Sequence, residues 1–175
     1  MPYTIHILPE GSMTIAGAQL DGITQGDGSH MIGATLTLNS SAWQAVEIDD
    51  NDTDFEDNDN SQQLADPTVI DGVSFAAGSR IEAEYSLTAT DGTNTWTLIA
   101  VNVNNSSPSY ATVEGLAFIG PVGGFPPLGV PLTVTDAQEG PSFASNDFAA
   151  PICFAAGTCI AVPGGEAAVE TLRPG

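Results

Sequence analysis

The sequence predicts an all-β protein built as a single β-sandwich, of the jelly-roll or immunoglobulin-like kind, with a barrel as the lesser option. Three observations indicate this class. Apolar and polar residues alternate with a period of two in stretches such as 32–38 and 81–87, which is typical of half-buried strands. Turn-forming pairs such as Asp71-Gly72 and Asp91-Gly92 separate these stretches. No stretch of ten or more residues carries the apolar stripe of a helix.

Eight strands are predicted along the chain. In order, they cover residues 3–7, 32–38, 43–48, 68–75, 81–90, 95–103, 111–119 and 130–135. The pair Asp91-Gly92 is the best hairpin signal, because both flanking runs are rich in β-branched and aromatic residues. The predicted organisation is an acidic β-sandwich domain at 1–140, a linker at 141–152 and a short C-terminal tail at 153–175.

The charge balance limits the partners that this chain can have. It has 175 residues, with 22 Asp and Glu against two Lys and Arg, and a formal net charge of −20. Nucleic acid and anionic membranes are poor partners, because few basic groups are available to replace the counterions of a phosphate backbone. No apolar run approaches the roughly 18 residues that span a bilayer, so membrane insertion is not expected. The first residues do not resemble a secretory signal peptide.

An acidic stretch is the strongest candidate for a binding site. Residues 47–59 hold eight acids, interspersed with asparagines. Calcium takes about six to eight oxygen ligands, and Asp and Asn on a loop supply such oxygens. The predicted metal ligands are Asp49, Asp50, Asp52, Asp54, Asp57 and Asp59. The start of this run has EF-hand spacing, but Phe55 replaces the turn glycine and Ser61 replaces the bidentate glutamate.

Two alternatives to this calcium site follow from the same residues. The acidic loop could be solvated and bind ions only diffusely. Elsewhere, Glu82 and Glu84 could form a glycosidase-like pair, although alternate residues of a strand usually form its wet face. Trp43 and Trp96 lie in predicted strands, so core packing is favoured over stacking on a sugar.

The last residues of the chain carry a motif that is unlike the rest. Its parts are Cys153-Phe154 followed by Gly157-Thr158, the turn Pro163-Gly164-Gly165-Glu166, and the run Val169-Glu170-Thr171-Leu172-Arg173-Pro174-Gly175. This motif resembles the opening of a bacterial Hint domain, the autoprocessing module of hedgehog proteins and inteins. The resemblance covers only residues 153–175.

The resemblance implies a self-cleavage reaction in the complete module. Cys153 would be the nucleophile that attacks the carbonyl of Ile152 in an N–S acyl shift. The family draws its base and acid from a downstream Thr-x-x-His block, which these 175 residues do not contain, so this chain is expected to be inert. Cys159 would be structural, and a disulfide between the two cysteines is the alternative.

The leading hypothesis is therefore a non-enzymatic, calcium-binding β domain that is the cargo of a Hint module. The resemblance implies a bacterial protein at the cell surface or outside the cell, exported without an N-terminal signal peptide. The first alternative is a subunit that assembles with copies of itself, since the predicted strands 95–103 and 111–119 are long and poorly charged. The second is a carbohydrate-active enzyme or binder of a surface glycan.

Overall fold

Strands make up most of the regular structure. This computed structural model describes residues 1–22, 26–103, 112–152, 159–162 and 165–168. Within them, the strands are β1 Tyr3–Pro9, β2 Met13–Ala16, β3 Thr35–Leu38, β4 Gln44–Asp49, β5 Asp54–Glu56, β6 Gln63–Leu64, β7 Thr68–Ile70, β8 Val73–Phe75, β9 Ile81–Thr90, β10 Thr95–Val103, β11 Gly115–Ile119, β12 Pro131–Glu139, β13 Ser142–Ala144, β14 Cys159–Val162 and β15 Gly165–Ala168. The helical segments in this part of the chain are single 3-10 turns at Glu10–Ser12, Ser29–Met31 and Ser145–Asp147. None of them has the length and apolar character that crossing a membrane requires.

Nine strands form one large antiparallel sheet. Their order is β2-β3-β12-β9-β10-β11-β1-β4-β6. Strands β2 and β6 lie at its two edges and do not pair with each other, so the described strands form no closed barrel. The remaining described strands pair as β5–β13, β7–β8 and β14–β15. The prediction of an all-β sandwich is confirmed.

Apolar side chains are buried on both faces of the large sheet. In β10, Leu98 and Ala100 belong to one core cluster, whereas Ile99 and Val101 belong to the other. Successive strand residues point to opposite faces, so a strand that is covered on both sides carries a continuous apolar run. This explains why residues 98–101 lack the alternation that marks the outer strands.

Two Asp-Gly pairs of the sequence form the turns of β-hairpins. The predicted hairpin at Asp91-Gly92 joins β9 to β10, and Thr90 pairs with Thr95. The prediction of a single strand over 68–75 is wrong, because this segment is the hairpin β7–β8. Asp71 and Gly72 have φ angles of 48° and 79°, the left-handed conformation that tight two-residue turns require.

The strands that were expected to support self-assembly lie inside the sheet. Strand β10 pairs with β9 and β11, and β11 pairs with β10 and β1. Backbone groups that are already paired on both sides of a strand do not offer an edge to another chain. The pairing of these two strands therefore gives no support to an assembly subunit.

The predicted linker packs against the sandwich. Within residues 141–152, β13 pairs with β5. Phe148 is 7% exposed and belongs to a core cluster. The Ala149 N–H donates to the Phe118 carbonyl at 2.8 Å. This segment therefore fixes the acidic loop that contains β5.

Candidate functional site

The acidic loop runs from the end of β4 to the start of β6 and is anchored by an aromatic residue. Phe55 is fully buried and packs edge-on against Phe148, with 5.7 Å between the ring centroids. In β5, Phe55 therefore points into the core, while its neighbours Asp54 and Glu56 are half-buried. An aromatic residue between two acidic runs of the sequence predicts that the loop folds back onto the core, and the burial of Phe55 confirms this.

Three carboxylates of the loop converge. Asp52, Glu56 and Asp59 each bring one oxygen within 4.8 Å of the others. Asp52 is exposed, whereas Glu56 and Asp59 are half-buried. This arrangement, called the loop triad below, could hold a metal ion. It is the one group of three or more potential metal ligands that the described residues contain.

The triad contains two of the six predicted ligands and one residue that was not predicted. Asp52 and Asp59 are in it, but Asp49, Asp50, Asp54 and Asp57 are not. Glu56 was not among the predicted ligands. It lies two residues after Asp54, with the buried Phe55 between them, so Asp54 and Glu56 are on the same face of β5.

Asp49 and Asp50 lie outside the loop triad. Asp49 is exposed on β4 opposite Gln63. Asp50 is 6% exposed, and its carboxylate lies 2.9 Å from the Ser61 hydroxyl and 3.3 Å from the Tyr3 hydroxyl. Burial and the Asp50 charge raise the pKa of Tyr3, so its hydroxyl stays neutral and able to donate. Asp50 therefore joins the loop to β1.

Asp54 and Asp57 lie beside the triad but are not part of it. The Asp54 carbonyl lies 3.1 Å from the Tyr3 hydroxyl, so its backbone is fixed to β1. The Asp57 carboxylate accepts a hydrogen bond from the Asn58 side chain. Burial raises the pKa of Asp57, which disfavours its charged form.

Backbone donors hold two triad carboxylates in place. Asp52 Oδ1 accepts the Asp54 N–H at 3.0 Å. Asp59 Oδ1 accepts both the Ser61 N–H at 2.8 Å and the Ser61 hydroxyl at 2.7 Å. These are the side-chain turns that Asp forms with the backbone two residues ahead. The bonds from Ser61 lower the pKa of Asp59, so it is ionised at neutral pH.

Gln62 positions the third carboxylate. It is fully buried, and its Oε1 accepts the Glu56 N–H at 3.0 Å. Its Nε2 donates to the carbonyls of Glu56, at 3.0 Å, and Ile81, at 2.6 Å. The Gln62 amide therefore ties β5 to the start of β9.

A second acidic group lies under the loop. Glu82 is fully buried and Glu84 is 8% exposed, so the interpretation of these residues as the wet face of a strand is wrong. The reason is that the loop covers β9 here, and the Asn58 N–H donates to Glu82 Oε1 at 2.9 Å. The covering contact joins residues 24 positions apart, which strand alternation cannot reveal.

Arg80 connects these two groups. Its guanidinium forms an ion pair with Glu82 Oε1, and its Nε donates to the Asp59 carbonyl at 3.3 Å. Glu82 Oε2 is buried and has no hydrogen-bond partner among the described residues. Burial, followed by the charges of Asp57 and Glu82, raises the pKa of Glu84 to about 7.

The predicted cleavage position lies at the edge of the described structure. Ile152 is 59% exposed. Cys153 lies outside the described residues. Of the tail, β14 and β15 are described, and they pair antiparallel with Cys159 opposite Ala168.

Comparison with known proteins gives no relatives: no family model, no curated protein and no solved structure matches this chain. The fold and the loop triad define an all-β protein with an acidic cluster that could hold a metal. The resemblance of residues 153–175 to a Hint domain stays a prediction.

Proposed function

We propose that this chain is a calcium-binding β-sandwich of an exported or cell-surface protein, and that the sandwich is the cargo of a Hint module. The observation that carries the calcium proposal is the convergence of Asp52, Glu56 and Asp59 within 4.8 Å. Three carboxylates at this distance repel one another unless a cation lies between them. The charge of Arg80 is directed to Glu82, and its contact with Asp59 is to the backbone carbonyl.

The ligand chemistry favours calcium over other metals. All three side chains offer oxygen, the ligand atom of hard cations, and none offers sulfur or imidazole nitrogen. Calcium accepts an irregular shell of carboxylates, carbonyls and water, whereas magnesium demands a near-octahedral one. A loop that places carboxylates from three separate positions, with one of them exposed, suits the irregular shell.

Thermal unfolding with calcium and with a chelator tests this proposal. Calcium at about a hundred times its Kd adds roughly 2.7 kcal/mol to the free energy of unfolding, which raises the Tm by on the order of 5 to 10 °C. The double variant Asp52→Asn/Asp59→Asn should lose this shift.

The matched control removes the same charge elsewhere. Asp49 and Asp66 are both exposed and lie outside the triad, so Asp49→Asn/Asp66→Asn should keep the full shift. The absence of any calcium shift in the unaltered chain would refute the proposal, as would equal losses in the two double variants.

The Hint part of the proposal is supported by the motif at 153–175. In a chain that continues through a Thr-x-x-His block, the Cys153 sulfur would bond to the Ile152 carbonyl carbon. The peptide C–N bond would break, and its nitrogen would take a proton. The product is a thioester that a second nucleophile can resolve.

Mass spectrometry of such an extended chain tests this part. We expect an N-terminal product that ends at Ile152, no cleavage in Cys153→Ala, and nearly normal cleavage in Cys159→Ala. A product that ends elsewhere, or cleavage that persists without Cys153, would contradict the assignment. Either outcome would leave the calcium proposal untouched, because the loop triad contains neither Ile152 nor Cys153.

A further inference from the structure

A cavity of about 330 Å³ lies between the β7–β8 hairpin and the residues that lead into β11. Ile70, Val103 and Val113 line it and are at most 5% exposed, so they form its floor. Val73 and Phe75 of the hairpin extend this apolar lining. Small-molecule sites have volumes of roughly 300 to 1,000 Å³. The cavity can therefore hold the hydrocarbon part of a small ligand.

Four carboxylates line the same cavity. They belong to Glu10, Asp21, Asp71 and Glu114. Asp21 Oδ1 accepts the Val113 N–H at 2.8 Å, and Glu114 Oε2 accepts the Val103 N–H at 2.7 Å. Each of these bonds uses one oxygen atom, so the other oxygen can bind a ligand. The backbone therefore fixes both acids beside the apolar floor.

The other two acids come from different elements. Asp71 lies in the β7–β8 turn, and its Oδ2 accepts the Gly11 N–H at 2.8 Å. Burial, followed by the charges of Asp21 and Asp71, raises the pKa of Glu10. Burial raises the pKa of Glu114 to about 7. A positive charge at this place would relieve the cost of keeping these carboxylates ionised.

We infer that this cavity binds a small organic cation, whose ammonium or amidinium group lies among the carboxylates and whose hydrocarbon body packs on the apolar floor. The acidic lining of the cavity favours a positively charged occupant, and the chain itself has few positive charges to offer. The chain has two basic side chains in all, and Arg80 is paired with Glu82.

A metal ion does not fit this cavity as well as an organic cation does. No three of its carboxylates bring oxygens within 4.8 Å of one another, as the loop triad does. A metal would also leave the apolar lining without a partner. The inference is independent of the calcium proposal, since the two sites share no residue.

Titration calorimetry at pH 8 with chelator present tests the inference. The probes are hexylammonium, hexanol, ammonium and a blocked tripeptide that contains one lysine. We expect hexylammonium to bind about tenfold or more tightly than hexanol and ammonium, because only it combines the charge with the apolar body. Tighter binding of the tripeptide than of hexylammonium would overturn the choice of a small molecule.

Variants locate the binding. Asp71→Asn, in an exposed turn where the fold is tolerant, should weaken hexylammonium binding about tenfold. Phe75→Ala should weaken it through lost apolar contact, and should leave ammonium binding unchanged. Asp136→Asn removes the same charge from an exposed position of β12 outside the cavity and should have no effect. Equal weakening in Asp71→Asn and Asp136→Asn, or no hexylammonium binding at all, would overturn the inference.

Discussion

The loop triad and the carboxylates of β9 are two acidic groups with opposite surroundings. In the triad, donors from Ser61 keep the pKa of Asp59 low, and Asp52 accepts a backbone N–H. On β9, burial and neighbouring carboxylates raise the pKa of Glu84 to about 7. Donors and burial, and not the number of acids in the sequence, therefore decide which of the two groups stays ionised at neutral pH.

The largest effect should come from the base of the loop. Glu82→Ala removes the acceptor of both Asn58 and Arg80 from a fully buried position. We expect it to lower the free energy of unfolding by about 3 kcal/mol, since the change leaves a cavity and removes the carboxylate that accepts the Asn58 N–H. Urea unfolding measures this loss.

Two further variants separate this role from a general effect of charge. Glu82→Gln retains an acceptor for the Asn58 N–H and should lose less than half as much stability as Glu82→Ala. Glu47→Ala, at an exposed position of β4, should change stability by about 0.5 kcal/mol or less. If the three variants were equally stable, Glu82 would not support the loop.

A smaller effect should follow from the titration of Glu84. Its pKa is raised in the folded protein, so its contribution to stability is fully present below about pH 4.5 and is lost as the pH rises through about 7. With chelator present, the free energy of unfolding should therefore fall between pH 5 and pH 8, with about 2 kcal/mol of the loss due to Glu84.

The variant Glu84→Gln isolates this contribution, because a glutamine side chain is neutral at both pH 5 and pH 8. Its stability should fall less than that of the unaltered chain between pH 5 and pH 8. Glu114, whose pKa is also raised to about 7, remains in both proteins and cancels in the comparison. Identical slopes for the two proteins would show that the pKa of Glu84 is not raised in the folded protein.

Local signals predicted much of the fold. The run 95–103 coincides with β10, and Asp91-Gly92 marks the β9–β10 hairpin, because strand and turn preferences act over a few residues. The short strands β5 and β13 were not predicted. Each has three residues, and they pair across 86 positions from Glu56 to Ser142, so only the folded chain defines them.

The acidic loop was also predictable in part, because some of its signals are local in the sequence. The density of acids located the loop, and the isolated Phe55 indicated its anchor. Glu56 belongs to the loop triad only because β5 forms, and Glu82 is buried only because the loop folds over β9. Asp49 is exposed because the strand continues through it, which the spacing of acids does not show.

Calcium titration calorimetry of Glu56→Gln tests whether the loop triad binds calcium, since Glu56 belongs to the site only through the three-dimensional convergence with Asp52 and Asp59. We expect the unaltered chain to bind calcium and Glu56→Gln to weaken this binding about tenfold or more. Asp49→Asn, with the same loss of charge, should bind as the unaltered chain does. Binding that is undiminished in Glu56→Gln would show that the triad does not hold the calcium.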